Sequence, residues 1–160
     1  MDMKFYTDET ILITGGAGAI GSNLSRKLAE SGAAKVIILD DLSASYKWNI
    51  PNLPNILFVK GSITNDIDLK RVFHEKPTYI FHLAAFFVNQ NSEDYPEKDL
   101  MIGQLETAKL LEHCLLLRGA NQFVYADSGC AIFWALAPLL LESYFVFLHL
   151  SSHYQISQMR

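Results

Sequence analysis

Two apolar runs with no polar interruption, Ile11-Leu12-Ile13 and Val36-Ile37-Ile38-Leu39, constrain this chain more than any other feature. A strand with one wet face alternates apolar and polar residues. A strand without that alternation must be covered on both sides, which a parallel sheet between two helical layers achieves. The rest of the pattern agrees, with short β-rich runs alternating with amphipathic stretches. Strands are predicted at Thr10–Thr14, Lys35–Leu39, Ile56–Lys60, Thr78–Leu83 and Gln122–Ala126, and helices at Ile20–Ser31, Asp66–Glu75 and roughly Lys98–Arg118. The stretch Asn49–Asn55, with Pro51 and Pro54, reads as a loop.

Between the first strand and the first helix stands Thr14-Gly15-Gly16-Ala17-Gly18-Ala19-Ile20-Gly21. Glycines at 15, 18 and 21 allow a sharp turn, a close backbone approach to a pyrophosphate and tight packing of helix on strand. The unbonded N–H groups of the helix start, and its positive end, then face the phosphates. Asp40 ends the next strand, about 20 residues past the loop, where an acid accepts the hydroxyls of a ribose. A carboxylate there repels a 2′-phosphate, so NAD is the expected cofactor. Asp41 is placed to share the role, and Lys47 leaves NADP use open. Taken without context, the glycines mark an ordinary turn and the two acids a strand end. Their joint placement in a strand-turn-helix-strand unit favours the nucleotide reading.

With these residues placed, the chain resembles the extended short-chain dehydrogenase/reductase superfamily, and within it the NAD-dependent nucleotide-sugar epimerases and dehydratases of the UDP-glucose 4-epimerase type. The resemblance runs from about Glu9 to Ala126 and returns at Tyr154. Besides the glycine loop it rests on Asp40-Asp41-Leu42-Ser43, on Gly61-Ser62-Ile63 after the third strand, and on His82-Leu83-Ala84-Ala85 ending the fourth. It implies a Rossmann-type doubly wound parallel sheet with helices on both faces, in one domain. The cofactor-binding residues it implies are Gly15, Gly18, Ala19, Ile20, Gly21, Asp40, Asp41, Ser43, Ser62, Ile63, Leu83, Ala84, Ala85 and Tyr125. Ser62-Ile63 would flank the adenine, with Ser62 where the family usually has Asp. Small residues at 84 and 85 leave room for a ligand at the edge of the sheet.

The resemblance also implies a reaction, the reversible oxidation of a sugar carbon by bound NAD. Tyr154 would take the hydroxyl proton, and Ser128, or by count Gly129, would stand at the position of the family's orienting hydroxyl. The family lysine four residues past the tyrosine is Gln158 here, and an amide cannot favour tyrosinate as an ammonium does. Gly103 and Glu106 stand where the family tends to have Asn and Gly, and Phe133-Trp134-Ala135 where it often has Tyr-Gly. Residues 1–160 are expected to form the cofactor domain, regular to about residue 128. Residues 129–160 would be an atypical apolar tail reaching the start of the tyrosine helix, with the substrate-binding region of relatives missing. Catalysis is expected to be impaired. The alternatives are a truncated or engineered binding or assembly module without turnover, and a membrane-associated steroid-type reductase of the same superfamily.

Charge and composition narrow the partners. Seventeen acidic against thirteen basic residues, a net charge of −4, give no general attraction for nucleic acid or anionic membranes. Two cysteines, Cys114 and Cys130, lack any metal-ligand spacing, and His149 with His153 lacks a third ligand, so no metal is expected. Asp2, Lys4, Asp8 and Glu9 break the apolar run that a secretory signal needs, and a cytoplasmic protein is expected. Ala131–Leu150 is almost wholly apolar, but Pro138 and Glu142 argue against a membrane span. Its aromatics Phe133, Trp134, Tyr144, Phe145 and Phe147 read as core or subunit contact. The long helix carries more apolar surface than one sheet face buries, so a second helix or a subunit is expected to cover the rest, with a homodimer or other self-association through this helix and the apolar tail.

Overall fold

The computed structural model describes residues 4–85, 97, 101–117, 119–126 and 147–148. Five parallel strands, β1 (Thr10–Thr14), β2 (Lys35–Asp40), β3 (Ile56–Lys60), β4 (Tyr79–His82) and β5 (Gln122–Tyr125), form the sheet, with β6 (Phe147–Leu148) added antiparallel to β5. The spatial order is β3-β2-β1-β4-β5-β6. The helices are α1 (Ala19–Glu30), α2 (Asp66–His74) and α3 (Glu106–Leu116). A π-helical turn, Met101–Leu105, leads into α3, and short 3₁₀ turns lie at Lys4–Tyr6 and Lys47–Asn49. The expected doubly wound α/β architecture is therefore present, with five parallel strands and one antiparallel addition.

Register explains why uninterrupted apolar strands suit this sheet. Leu12 lies opposite Ile37 and Ile80, Ile37 opposite Leu57, and Ile80 opposite Phe123. All five side chains in this row join one core layer, together with Leu69 and Val72 of α2 and Leu110 and Cys114 of α3. The neighbouring residues Ile11, Ile13, Val36 and Phe81 face the other way, against Leu28 and Ala29 of α1. Each fully buried aliphatic side chain contributes roughly 1.5–3 kcal/mol. Asn65 caps α2 by accepting the Ile67 N–H at 2.9 Å, and Asp66 and Asp68 in the first turn favour its positive end.

Most boundaries fall within one residue of the sequence reading, and three differences have a clear physical content. β2 extends through Asp40 because Gly61 N–H bonds its carbonyl and continues the ladder with β3. Thr78 lies outside β4, with its hydroxyl bonded to Glu9 and to the Thr10 carbonyl at the opposite end of the sheet from the glycine loop. The start of the long helix is π-helical rather than α-helical over Met101–Leu105. On α3 the face of Glu106, Leu110 and Cys114 is buried, while Leu116, and Met101 and Leu105 of the turn before it, remain exposed. No helix among the described residues is long and apolar enough to cross a membrane.

Candidate functional site

The carboxyl ends of the parallel strands converge on one edge of the sheet, and the direction of winding reverses between β1 and β4. Loops leaving adjacent strands in opposite directions open a crevice at such a point. Thr14, Asp40, Lys60, His82 and Tyr125 are the last residues of β1 to β5, so the described candidate residues beside them collect at this edge.

The glycine loop turns there under tight steric limits. Gly15 has φ +70°, a left-handed conformation that costs other residues energy, and a Cβ on it would lie 2.8 Å from the Leu83 carbonyl and the Ala84 nitrogen. Gly21 is equally restricted, since a Cβ there would strike the Gly15 carbonyl and lie 2.6 Å from Gly16 Cα. The two glycines thus let β1, β4 and α1 meet closely. Gly18 is the N-cap of α1, extended and without a side chain to bond the helix start. The hydrogen-bond ladder of α1 begins with Ser22 N–H to Gly18 O. The amides of the first turn precede it and point out of the helix, beside Ala19 and Ile20, both exposed.

Asp40 reaches back to this loop. Its Oδ2 accepts the Ala17 N–H at 2.9 Å, and its Oδ1 accepts from Leu42 N and Ser45 Oγ at 2.9 and 2.7 Å. Only 9% of the residue is exposed. A carboxylate offers about four acceptor positions, so one remains on Oδ2. Asp41 is exposed and bonds the Ser43 N–H at 2.8 Å, which folds Asp41 to Ser43 into a turn beside Asp40. Leu42 within it has φ +65°.

The remaining candidates line the same edge. Ser62 is half-buried, with its amide on Asp68 at 3.1 Å and its hydroxyl on Thr64 at 3.0 Å. A Cβ on Gly61 would meet that Asp68 carboxyl at 2.5 Å, so the glycine is what lets Asp68 hold the turn. Ile63 packs inward with the core. Leu83 and Ala84 are half-buried against Gly15, Ala85 is exposed, and Tyr125 lies with its ring 5.5 Å from that of His82. Ser128, Gly129, Tyr154 and Gln158 fall outside the described residues, as do His149 and His153 and nearly all of the apolar segment 131–150. Among the described residues no three His, Cys, Asp or Glu side chains gather as a metal site.

Several residues that sequence reasoning passed over help to shape the edge. Asn49 Nδ2 donates to the Ala17 carbonyl at 2.9 Å, so Ala17 is gripped on one side by Asp40 and on the other by the loop after β2. The only sequence signal for this was an amide side chain beside a proline-bounded loop. Gly16 is needed because a Cβ would meet Ile38 Cγ2 at 2.7 Å, a contact across strands that no local spacing reveals.

His82 joins three elements. Its Nδ1 lies 2.6 Å from Thr14 Oγ1 and its Nε2 lies 2.9 Å from Thr107 Oγ1. Thr107 in turn donates to the Gly103 carbonyl in the π-helical turn. The ring is 1% exposed, and burial pushes its pKa down to about 4, so it is neutral at ordinary pH. Cys114 is a buried thiol pushed up to about 12 by desolvation, which removes it from nucleophilic chemistry.

The sequence profile described as "NAD dependent epimerase/dehydratase family" matches residues 11–159. The chain belongs to this family. A UDP-glucose 4-epimerase of Mycolicibacterium smegmatis is 37% identical over 126 residues, covering 76% of this chain and 39% of that enzyme. An epimerase of Methanothermobacter thermautotrophicus superposes with a TM-score of 0.79 at 48% identity, covering 99% of this chain and 46% of the other. The Bordetella bronchiseptica enzyme WbmF, solved with NAD+, superposes with a TM-score of 0.73 at 34% identity over 78% of this chain and 38% of its own. The chain thus spans about two fifths of the curated relative's length. The epimerase/dehydratase family match includes positions 128 and 154.

Proposed function

We propose that this chain binds NAD across the carboxyl edge of its sheet, as the cofactor-holding part of a nucleotide-sugar epimerase or dehydratase. The observation that carries the reading is the open start of α1. Its first-turn amides follow a glycine N-cap and adjoin a carboxylate that still has an acceptor position. The diphosphate lies on the amides of Ala19 and Ile20, with Gly15 and Gly18 allowing its approach. Asp40 Oδ2 accepts one hydroxyl of the adenosine ribose, and the negative charge excludes a 2′-phosphate. The Asp41–Ser43 turn borders that ribose. Ser62 borders the adenine, with Ile63 backing that turn from the core, while Leu83, Ala84, Ala85 and Tyr125 follow the cofactor toward its nicotinamide end.

When bound, NAD supplies an acceptor for hydride from a sugar carbon. This chain's part is to hold it: the helix start fixes the diphosphate, Asp40 fixes the ribose and the small side chains of 84 and 85 keep the path open. Tyr154 is assigned the removal of the hydroxyl proton, and Ser128 the orientation of that hydroxyl. Gln158 bears no charge, so it lends no electrostatic support to a tyrosinate, which argues for impaired turnover. The relatives named as UDP-glucose 4-epimerases support a nucleotide sugar as substrate.

The exposed Met101, Leu105 and Leu116 support self-association along the long helix. The test of the cofactor reading is thermal unfolding with NAD and with NADP. NAD at a hundred times its dissociation constant stabilises the folded state by about 2.7 kcal/mol, and NADP is expected to give a smaller rise in Tm. An unchanged Tm with both would refute the reading.

A further inference from the structure

We propose that His82 is a positioning residue for the cofactor, which holds the seam between the glycine loop and β4 by fixing the direction of the Thr14 hydroxyl. This rests on the NAD reading above.

The direction follows from counting hydrogens. Thr107 Oγ1 has one, and it goes to the Gly103 carbonyl at 2.9 Å. Toward His82 Nε2 the same oxygen can only accept, so Nε2 carries the imidazole hydrogen. In a neutral ring Nδ1 is then an acceptor, and the partner 2.6 Å away, Thr14 Oγ1, must donate to it. The lone pairs of Thr14 are thereby turned toward the Ala84 N–H, 3.4 Å away. Five groups form one directed chain, from Ala84 N–H through Thr14, His82 and Thr107 to the Gly103 carbonyl.

Both ends of this chain matter for a ligand. The Ala84 nitrogen is one of three backbone atoms that a Cβ on Gly15 would approach at 2.8 Å, so the Thr14 to Ala84 contact, added to the Leu83 N–H bond to the Thr14 carbonyl at 3.0 Å, holds the seam beside the diphosphate. At the other end, the Gly103 carbonyl ties the π-helical turn to the same strand. The rings of Phe123 and Tyr125, 6.0 and 5.5 Å from His82, flank the buried imidazole. A buried histidine whose only task is to satisfy its own polar atoms would stabilise the fold without regard to which nitrogen faces Thr14. The directed chain makes the Nδ1 side the one that matters for the cofactor.

Two readouts on the whole chain separate these roles, amide hydrogen exchange at Ala84 and NAD affinity by calorimetry. His82→Asn keeps an acceptor opposite Thr14, and His82→Gln keeps a donor opposite Thr107. Thr14→Val removes the hydroxyl, and Thr14→Ser restores it. His82→Gln and Thr14→Val are expected to speed Ala84 exchange and to weaken NAD binding by about tenfold, the size of one lost hydrogen bond. His82→Asn and Thr14→Ser are expected to lose at most about threefold. Equal loss in His82→Asn and His82→Gln, or unchanged Ala84 exchange in Thr14→Val, would overturn the inference. Should His82→Gln fail to fold, His82→Asn against Thr14→Val decides it: the first is expected to keep Ala84 exchange near that of the unaltered chain and the second to speed it, and equal acceleration in both would overturn the inference. If the unaltered chain does not bind NAD, the cofactor reading falls, and Ala84 exchange still decides whether the chain of bonds positions that amide.

Discussion

Asp40 Oδ2 accepts the backbone N–H of Ala17 at 2.9 Å, so the acid that ends β2 and the glycine loop that follows β1 are one hydrogen-bonded unit. The carboxylate thus shapes the glycine loop itself. Asp40→Ala removes three hydrogen bonds and, with them, the acceptor proposed for the ribose. The expected result is a loss of roughly 2–4 kcal/mol in stability, since each charged bond is worth about 1.5–3 kcal/mol and exposure of the freed amides to water recovers part. NAD affinity should fall by about a hundredfold, through a lost charge-assisted bond and a misplaced loop. Denaturant unfolding and calorimetry check the two effects separately.

The glycines of the loop should not respond alike. Gly15→Ala forces a side chain into the left-handed region and against the backbone of β4, and a loss of about 2 kcal/mol or more is expected. Gly21→Ala meets backbone as well and should cost a similar amount. Gly18→Ala, at φ −70° with its nearest contact at 3.3 Å, should leave stability within about 1 kcal/mol. Melting temperatures of the three variants rank them.

Stability should fall on acidification through His82. Its folded pKa is depressed from 6.5 to about 4, so between those values the unfolded chain binds a proton that the folded chain refuses. The contribution is complete above about pH 6.5 and is lost as pH drops toward 4, by roughly 3 kcal/mol in all. Unfolding free energies measured between pH 7 and pH 5 should slope downward, and His82→Gln should flatten that slope. A parallel slope in the variant would assign the effect to other groups.

Glu106 is an internal polar cost. Its side chain is 4% exposed, with Oε1 bonded to Lys109 at 2.9 Å and Oε2 buried with no hydrogen-bond partner among the described residues. Glu106→Met replaces it with an apolar chain of similar size and is expected to stabilise the fold by about 1 kcal/mol. A fall in Tm would mean that the lost Lys109 bond outweighs the burial of the orphaned oxygen.

The parallel sheet was legible because strand burial writes itself into local sequence: Val36 to Leu39 admits no wet face. The glycine loop and Asp40 were legible because strand, tight turn and helix follow in a fixed order along one βαβ unit. What escaped the sequence is held by contacts distant along the chain. Asn49 reaches Ala17 across 32 positions, and Thr14 meets His82 across 68. The π-helical turn before Glu106 leaves the same apolar residues that an α-helix would, so periodicity did not separate the two.

The measurement closest to the central claim is an amide chemical-shift titration of the chain with NAD. Saturable shifts centred on Gly15 to Gly21, strongest at Ala19 and Ile20 and accompanied by Ala84, are the expected result. Saturable shifts that spare the start of α1, or none at millimolar NAD, would contradict it.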